Sequence, residues 1–439
     1  MAADHRRGLV VARTGRSLKG PVHVSGSKHA FAHTLAVAAM CEGAEIEGVP
    51  RNRDADALLD CVRLIFEIVE LSGSGTLTLA SPKRHGTLDL SAELLNRSRN
   101  LYCLLPALLN RSRVVRLSGR PKGCDFEARP DEWYFQALTS FGASVEHDAI
   151  GGVRLSWPRR RPGNVALPFP SVTTSIIGLA AALGCYGSTT LSGVALEPSV
   201  RDAFALLSQM GTNLELHNRS VVIHSSGPPE TLSTVLRPDQ EVAVTLLSAV
   251  AIAGGNVRLI GRRPFELERF RPVAHQIGLR LTEEDCTVTA VADVAEPLHA
   301  VEIVAGPNPM FASDWIPPVV LALAAKPIGH SRVIDTLFPD RLRFLEPLRR
   351  LGLKSVSSKQ VIHHGRKAAL AEVHGSDPPV LNGGTIGTPT DLRGAACLVL
   401  ASLITTSAIV ISDDTHLRRG YEDLPKTLEE LGCVTYEYV

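Results

Sequence analysis

The most constraining feature of the sequence is a unit that recurs six times. An alanine-rich apolar stretch begins roughly every 70 residues, near Lys28, Arg99, Ser171, Glu241, Asp314 and Asp391. A short apolar run, an amphipathic segment and alternating strand-like residues follow each stretch. In five repeats the amphipathic segment ends at a glycine, which enters the left-handed conformation that stops a helix at little cost. These stops are Gly142, Gly211, Gly278, Gly352 and Gly432. In the first repeat the stop is predicted at Leu71-Ser72-Gly73.

The first helix of each repeat is apolar on nearly all sides, so it must be buried on every side. Six such helices cannot lie on one sheet, and they are expected to cluster in two groups of three. The sequence therefore predicts an α/β fold, a two-domain inside-out α/β barrel of six βαβαββ-like repeats with buried helices surrounded by sheets. The predicted domains are residues 22–236, which include a flap loop, and residues 1–21 plus 237–439. The N-terminal strand near Leu9–Arg13 is expected to complete the second domain, and the active site is expected in the interdomain cleft.

Charge and composition exclude several classes of protein. The formal net charge is +1, so no overall field favours nucleic acid or membrane as a partner. A hydrophobic content of 44% and a charged content of 21% are typical of a soluble globular protein. The N-terminus lacks the apolar core of a signal peptide, which predicts a cytoplasmic location. Residues 394–411 carry no charge, but Thr405, Thr406 and Ser407 predict a turn there rather than a membrane span.

No metal or organic cofactor is predicted. The eight cysteines form no CxxC pair, which argues against a zinc or disulfide framework. His29 and His33 are four residues apart, as metal ligands on one helix face would be, but no third ligand is apparent. The chain contains neither GxGxxG nor GxxxxGK[ST], the glycine-rich motifs that hold dinucleotides and ATP.

Charged residues begin several of the buried helices. Asp314 and Asp391 could be simple N-caps. Lys28 and Arg99 are unfavourable at a helix N-terminus, and an anionic ligand would explain them. The segment 121–134 (PKGCDFEARPDEWY) has the composition of a loop. Its thiol, Cys124, can transfer a proton, and its guanidinium, Arg129, can hold an anion, so this segment is a candidate catalytic flap.

Eight motifs along the whole chain carry a resemblance to a known family. They are GSKHA at 26–30, RNLYCLLPALL at 99–109, GCDFEARP at 123–130, SVTTS at 171–175, LEPSVRD at 196–202, FASD at 311–314, TDLR at 390–393 and RRGYE at 418–422. With these motifs the chain resembles the enolpyruvyl transferases, and among them UDP-N-acetylglucosamine enolpyruvyl transferase more than the shikimate-pathway enzyme. The resemblance implies transfer of the enolpyruvyl group of phosphoenolpyruvate (PEP) to a hydroxyl with release of phosphate.

The resemblance also implies roles for individual residues. PEP would be bound by Lys28, Arg99, Arg129 and Arg419. Cys124 would donate a proton to C3 of PEP, Asp314 would take the proton of the acceptor hydroxyl, and Lys28 and Asp391 would also be catalytic. The acceptor, a uridine nucleotide, would be bound by His29, Arg129, Pro130, Asp131, Glu132, Trp133, Ser171, Val172, Thr173, Asp314 and Arg341.

Several positions depart from the pattern of the cell-wall enzymes. His29 stands where they carry asparagine, Glu127 where they carry glycine, and Arg418 where they usually carry aspartate, and the segment Ala312-Ser313-Asp314 replaces their usual Pro-Thr-Asp. These departures lie on the acceptor side and leave the PEP residues in place. The acceptor is therefore either UDP-N-acetylglucosamine or UMP, which relatives in nucleoside-antibiotic pathways modify. Shikimate 3-phosphate as acceptor, a non-catalytic paralogue and an RNA-end-processing protein on a related fold are the remaining alternatives.

Overall fold

The computed structural model describes residues 8–124, 131–149, 151–293, 299–325, 329–374, 380–387 and 391–439. Within these ranges the strands form six four-stranded sheets. The strands are β1 (Leu9–Arg13), β2 (Leu18–His23), β3 (Gly43–Glu47), β4 (Phe66–Leu71), β5 (Thr76–Pro82), β6 (His85–Leu90), β7 (Ser112–Leu117), β8 (Ser144–His147), β9 (Val153–Ser156), β10 (Asn164–Ala166), β11 (Gly187–Ser192), β12 (Asn213–His217), β13 (Ser220–Ser225), β14 (Thr231–Val235), β15 (Gly255–Ile260), β16 (Arg280–Glu284), β17 (Thr287–Ala292), β18 (Glu302–Ala305), β19 (His330–Asp335), β20 (Val356–His363), β21 (Arg366–His374), β22 (Gly384–Ile386), β23 (Ile409–Ile411) and β24 (Val434–Tyr438).

The helices alternate with the strands in the order that the repeat predicts. They are α1 (Lys28–Ala38), α2 (Arg53–Arg63), α3 (Ala92–Leu95), α4 (Leu105–Arg111), α5 (Glu132–Ser140), α6 (Val172–Leu183), α7 (Pro198–Gln209), α8 (Gln240–Ala253), α9 (Arg271–Gln276), α10 (Ile316–Ala325), α11 (Leu345–Arg350), α12 (Leu392–Ala401) and α13 (Leu424–Glu430). Short 3₁₀ turns precede or follow some of them, at Arg99–Leu104, Ser313–Trp315, Arg341–Phe344, Ser402–Ile404 and Leu417–Arg419.

Each sheet has the same construction. In the sheet of order β6-β7-β9-β8, the first pair is parallel and the other two pairs are antiparallel. The parallel pair needs a crossover, which the buried helix α4 supplies between β6 and β7. The antiparallel strands alternate between buried and more exposed residues, as Val153 and Leu155 of β9 are buried and Arg154 between them is exposed. One face of the sheet thus covers the helices and the other meets solvent.

Two strands are exchanged between the first and the fourth repeat. Strand β2, which precedes α1, pairs in parallel with β15, with Leu18 opposite Gly255. Strand β14, which precedes α8, pairs in parallel with β3, with Thr231 opposite Gly43. The N-terminal strand β1 lies between β23 and β24 and is antiparallel to both.

The chain divides into two compact units. One holds residues 25–123 together with 131–237, and the other holds residues 8–24, Cys124 and 238–439. The division at residues 24/25 and 237/238 lies near the predicted limits at 21/22 and 236/237. Cys124 groups with the second unit, whereas the predicted division placed the whole flap in the first.

Each unit has its own core around three buried helices. In the first unit these are α1, the 3₁₀ turn Arg99–Leu104 with α4, and α6; in the second they are α8, α10 and α12. Every residue of α10 and of α12 is buried, and in α1 only His29 is partly exposed. The helices therefore lie inside and the sheets outside, as the apolar periodicity predicts.

The predicted glycine stops are confirmed in five repeats and wrong in the first. Gly142, Gly211, Gly278, Gly352 and Gly432 all have positive φ angles of 74° to 103°. In the first repeat α2 ends at Arg63, the N–H groups of Leu64 and Ile65 bond to the carbonyls of Cys61 and Val62, and the chain enters β4 without a glycine. Residues 71–73 instead end β4 and begin the turn to β5, where Ser72 exchanges backbone hydrogen bonds with Thr76 and Gly75.

The uncharged run of residues 394–411 is divided between a helix and a strand. It contains most of α12, the 3₁₀ turn Ser402–Ile404 and β23, so the predicted turn near Thr405 is confirmed. In the described part of the chain, no helix is long and apolar enough to cross a membrane.

Candidate active site

In the second unit, two buried arginines hold the carboxylate of Asp314. Asp314 lies in the 3₁₀ turn before α10, and its side chain is 30% exposed. Arg341 donates from Nη2 to Oδ1 at 2.8 Å, and Arg393 donates from Nη2 and Nε to Oδ2 at 3.1 and 3.2 Å. The carboxylate is therefore fixed from the protein side while part of it remains open to a ligand.

Arg341 is bound on its other side by a second carboxylate. Its Nε donates to Ser313 Oγ at 3.1 Å and lies 3.5 Å from Asp335 Oδ2, and Ser313 Oγ in turn donates to Asp335. Asp335 also accepts from the backbone N–H groups of Leu337 and Phe338. Burial raises the pKa of Asp335, and the charge of Arg341 and these hydrogen bonds oppose that rise. Arg341 thus serves two carboxylates, one buried and one partly open.

Arg393 links Asp314 to α8 through Tyr421. Its Nη1 donates to Tyr421 Oη at 3.0 Å, and its guanidinium lies 5.4 Å from the centre of the Tyr421 ring. Tyr421 Oη and Thr245 Oγ1 are 2.8 Å apart, and Thr245 donates to the Glu241 carbonyl. Burial alone would lower the pKa of Arg393, but Tyr421, Asp314 and Glu241 raise it well above its ordinary value. Arg393 is therefore a permanent cation at this position.

The first turn of α8 places a third carboxyl group in the same cluster. Asp239 caps the helix by accepting from the N–H groups of Glu241 and Val242 at 2.9 and 3.0 Å. Burial raises the pKa of Glu241 well above its ordinary value, and the charge and hydrogen bond of Asp239 raise it further. Glu241 is therefore protonated over a wider pH range than an exposed glutamate.

Asp391, predicted to be catalytic, is the N-cap of α12. Its Oδ1 accepts from the backbone N–H groups of Arg393 and Gly394 at 2.9 and 3.0 Å, and the side chain is buried. It orients the first turn of the helix and, with it, Arg393. Asp314 makes no such cap, because it lies inside its 3₁₀ turn and Ala312 occupies the N-cap position.

Cys124 lies beside a second predicted residue, Arg419. The nearly buried Arg419 ends the 3₁₀ turn Leu417–Arg419, and its Nη1 is 3.9 Å from Cys124 Sγ. The thiol is half-buried and packs against the core of the second unit. The predicted thiol and one predicted PEP-binding cation are thus adjacent.

In the first unit, Lys28 opens α1 with a carboxylate partner. Ser27 is the N-cap, and Lys28 Nζ donates to Asp54 Oδ2 at 3.2 Å, with both side chains nearly buried. The ammonium therefore has an internal counter-charge, which explains part of its unfavourable position at a helix N-terminus.

Arg99 is held between two tyrosine rings. Its guanidinium lies 5.6 Å from the centre of Tyr102 and 5.5 Å from that of Tyr134, and Nη2 donates to Tyr134 Oη at 3.4 Å. A Cβ added to Gly123 would lie 3.3 Å from Arg99 Cβ, so a glycine lets the chain pass close to this arginine just before Cys124.

The residues after the flap are anchored to the first unit. Asp131 accepts a 2.6 Å hydrogen bond from Tyr102 Oη and lies 3.3 Å from Arg120 Nε. Burial raises the pKa of Tyr102, and the hydrogen bond to Asp131 raises it further. The Asp131 carboxylate therefore fixes the start of α5, and one predicted acceptor residue has a structural partner.

Trp133 and the start of α6 form a partly exposed surface. The Trp133 ring stacks on Phe169 with centroids 5.9 Å apart and an angle of 27°. Ser171 is the N-cap of α6, accepting from Thr174 N–H, and Val172 and Thr173 are partly exposed. Glu132, the first residue of α5, is exposed. The contact between Trp133 and Phe169 thus brings the predicted acceptor residues at the start of α5 near those at the start of α6.

His29 and His33 do not make a metal site in the part of the chain that is described. Their ring centres are 6.2 Å apart, and no group of three or more His, Cys, Asp or Glu side chains in that part is arranged to hold an ion. Burial lowers the pKa of His33 to about 3, so this imidazole is neutral. His29 is the partly exposed member of the pair.

Most of the predicted site residues lie within the described ranges. Arg129 and Pro130 lie outside the described residues. Arg341, predicted to bind the acceptor, is 1% exposed and points to Asp314 and Asp335, so it acts behind Asp314. The predictions missed Arg393, Tyr421, Glu241, Asp335 and Asp54. Arg393 had a visible signal, since it is a charge directly before the uncharged run of residues 394–411.

Comparisons with known proteins agree over nearly the whole chain. The sequence profile of the EPSP synthase (3-phosphoshikimate 1-carboxyvinyltransferase) family matches residues 12–428. UDP-N-acetylglucosamine 1-carboxyvinyltransferase 1 of Symbiobacterium thermophilum is 30% identical over 430 residues, which cover 96% of this chain and 93% of that protein. The UDP-N-acetylglucosamine 1-carboxyvinyltransferase of Chlorobaculum parvum is 30% identical over 435 residues, 97% of each chain.

Solved structures give the same result. The enolpyruvyl transferase NikO from Streptomyces tendae superimposes with a TM-score of 0.84 and 26% identity, over 99% of this chain and 100% of that one. An EPSP synthase from Acinetobacter baumannii has a TM-score of 0.74 at 18% identity, over 98% and 100% of the two chains, which shows a common fold. The chain belongs to the EPSP synthase family of enolpyruvyl (1-carboxyvinyl) transferases.

Proposed function

We propose that this enzyme transfers the enolpyruvyl group of PEP to a hydroxyl of a uridine nucleotide and releases phosphate. The observation that carries the proposal is the Asp314 carboxylate, which two buried arginines hold while 30% of its side chain stays exposed. Such a group can accept the proton of a bound hydroxyl. The 30% identity to UDP-N-acetylglucosamine 1-carboxyvinyltransferases supports a uridine nucleotide as the acceptor.

PEP carries a phosphate and a carboxylate and needs fixed cations. We assign this role to Lys28 and Arg99 of the first unit, to Arg419 of the second and to Arg129. Lys28 is nearly buried beside Asp54, Arg99 is held between two tyrosines, and Arg419 contacts Cys124. A cation that the protein already holds loses little side-chain entropy when the anion binds.

The reaction then proceeds by addition and elimination. The acceptor oxygen attacks C2 of PEP while Asp314 takes the hydroxyl proton and the Cys124 thiol gives its proton to C3, which becomes a methyl group. In the resulting tetrahedral intermediate, C2 carries both the acceptor oxygen and the phosphate oxygen. Loss of a proton from the methyl group and cleavage of the C2–O bond to phosphate give the enol ether and inorganic phosphate. The proton count balances, because Cys124 regains the proton that it gave and the hydroxyl proton taken by Asp314 leaves with the phosphate.

The acceptor nucleotide is assigned to the surface around Trp133. The Trp133–Phe169 pair offers aromatic area for a base, and the hydroxyls of Ser171 and Thr173 lie at the N-terminus of α6, which favours phosphate. Asp131 supports this surface from behind through Tyr102 and Arg120. Glu132 and His29 complete the proposed acceptor contacts.

UMP is the second candidate acceptor. The departure at His29 favours it, because His29 lies among the residues assigned to the acceptor and the PEP residues are unchanged. UDP-N-acetylglucosamine and UMP share the uridine that the proposal requires.

The test is an acceptor panel. The enzyme is incubated with PEP and UDP-N-acetylglucosamine, UMP or shikimate 3-phosphate, and released phosphate is measured together with the mass of the acceptor. Phosphate release with equimolar enolpyruvyl transfer to a uridine nucleotide is expected, and Asp314→Asn should abolish most of it. Release with shikimate 3-phosphate alone would overturn the uridine assignment, and release with none of them would overturn the proposed function.

A further inference from the structure

Asp335, at the end of β19, is a buried carboxylate behind the catalytic cluster. It is 1% exposed, so no ligand reaches it. Two backbone N–H groups donate to Oδ1, from Leu337 at 2.8 Å and from Phe338 at 3.2 Å. On the other oxygen it accepts from Ser313 Oγ and lies 3.5 Å from Arg341 Nε.

We propose that Asp335 is a positioning residue that sets the proton affinity of Asp314 by sharing the charge of Arg341. This inference rests on the proposed role of Asp314 as the base. Arg341 connects the two carboxylates, since its Nη2 binds Asp314 Oδ1 at 2.8 Å while its Nε faces Asp335.

The physical reason is that a base held by two guanidiniums is a weak base. Each cation within about 4 Å stabilises the carboxylate and lowers its affinity for a proton. Asp335 takes part of the charge of Arg341 and also adds a negative charge near Asp314, and both effects make the Asp314 carboxylate more basic. Removing the Asp335 charge therefore ends its competition with Asp314 for Arg341 and weakens the base.

Other charged groups act on Asp314 or Arg341, and they stay the same when Asp335 is replaced. Arg393 on α12 binds its second oxygen, and Glu241 and Asp239 on the N-terminal turn of α8 face Arg393. Asp391, at the start of α12, and Cys124 act on Arg341. None of these groups forms a hydrogen bond or ion pair with Asp335 within the described residues, so a neutral residue at 335 leaves them in place and alters the contacts of Arg341 and Ser313.

The test compares Asp335→Asn and Asp335→Ser with the wild-type enzyme. Both variants remove the charge and keep an oxygen that can accept from the N–H group of Leu337. The matched control is Asp340→Asn, the same change five residues on, where the carboxylate binds Arg343 and Gln360 rather than Arg341. The measurements are kcat, KM for PEP and the pH profile of kcat/KM for the acceptor.

Both Asp335 variants are expected to move the acid limb of the kcat/KM profile to lower pH by about 0.5–1 unit, since a charge partner at this range is worth roughly 1–3 units. The kcat on the plateau should fall about three- to tenfold because the base is weaker, while KM for PEP stays within twofold. Asp340→Asn should leave all three unchanged. A merely structural role would lower activity without moving the limb.

Three results would overturn the proposal. They are an acid limb at the wild-type position in a folded Asp335 variant, the same shift in Asp340→Asn, or the failure of both neutral variants to fold, which would assign Asp335 to the fold alone. If the wild-type enzyme releases phosphate and the limb does not move, only this inference fails. If the wild-type enzyme releases no phosphate, the proposed function fails with it.

Discussion

Replacing Arg393 with methionine is expected to show how much the hold on Asp314 contributes to activity, apart from any effect on stability. Arg393 is 3% exposed and makes three hydrogen bonds, two to Asp314 and one to Tyr421. Methionine keeps the flexible apolar stem of the side chain to about the position of Nε and removes the charged guanidinium. A hydrogen bond to a charged group contributes about 1.5–3 kcal/mol, and breaking a buried ion pair costs about 3–5 kcal/mol.

Removing one guanidinium makes the Asp314 carboxylate more basic, but it also removes the two hydrogen bonds by which Arg393 orients that carboxylate, and the lost orientation should dominate. The loss should be smaller than these two figures together, because Asp314 keeps Arg341 and is partly solvated. We expect kcat/KM for the acceptor to fall roughly 30- to 1,000-fold, which corresponds to an activation free energy raised by about 2–4 kcal/mol. The assay is phosphate release at saturating PEP with thermal unfolding measured alongside. The matched control is Arg350→Met, an exposed arginine that meets only Glu346 at 3.6 Å and should stay within twofold of the wild-type value. An Arg393→Met enzyme with wild-type kcat/KM would refute the assignment of Asp314 as a base held by this cation.

Three further predictions concern the flap, α8 and the acceptor surface. Cys124→Ser should lose most turnover, and full activity of this variant would contradict the role of the thiol. Fosfomycin, an epoxide that mimics PEP, should alkylate Cys124, as shown by peptide mass, and labelling of another cysteine would contradict the same role. Glu241→Gln should gain stability over the wild type as pH rises, because the raised pKa of Glu241 makes the wild type lose unfolding free energy above the unfolded pKa of about 4.3. Urea unfolding at pH 5 and pH 8 checks this, and a constant difference between the two proteins would count against it. Tyr102→Phe, which removes the 2.6 Å hydrogen bond to Asp131, should raise KM for the nucleotide about two- to tenfold and leave KM for PEP unchanged; equal effects on both would place the defect elsewhere.

The repeat and its helices could be predicted because they depend on local chemistry. Apolar stretches near Lys28 and Asp391 predict buried helices, and Gly211 or Gly432 predicts where an amphipathic helix ends, since each signal lies within one turn of its effect. In the first repeat the prediction of the helix end is wrong, because the local glycine signal is absent where the helix ends. Its helix α2 stops at Arg63 through backbone hydrogen bonds alone, without a glycine, and the later glycine belongs to a strand turn.

The cluster around Asp314 could be predicted only in part, because its contacts join different repeats. Asp314 and Asp391 both come just before an apolar helical stretch in the sequence. Asp391 lies one residue before α12 and caps that helix, whereas Asp314 lies two residues before α10 and binds the arginines instead. The pairing of Asp314 with Arg393 spans 79 positions, and no local pattern encodes it. Glu241 also stands at the start of an apolar stretch, but that position does not predict its raised pKa, which comes from burial and from Asp239.

The central claim, enolpyruvyl transfer through protonation at C3 of PEP, is tested most directly by running the reaction in D₂O. The proposed path adds a solvent-derived proton to C3 and then removes one proton from the methyl group, so the enol ether formed on the uridine nucleotide should carry deuterium on its vinyl carbon. Remaining PEP should gain deuterium only when the acceptor is present, and Cys124→Ser should lose this incorporation. A product whose vinyl group carries no deuterium, formed at the wild-type rate, would contradict the account.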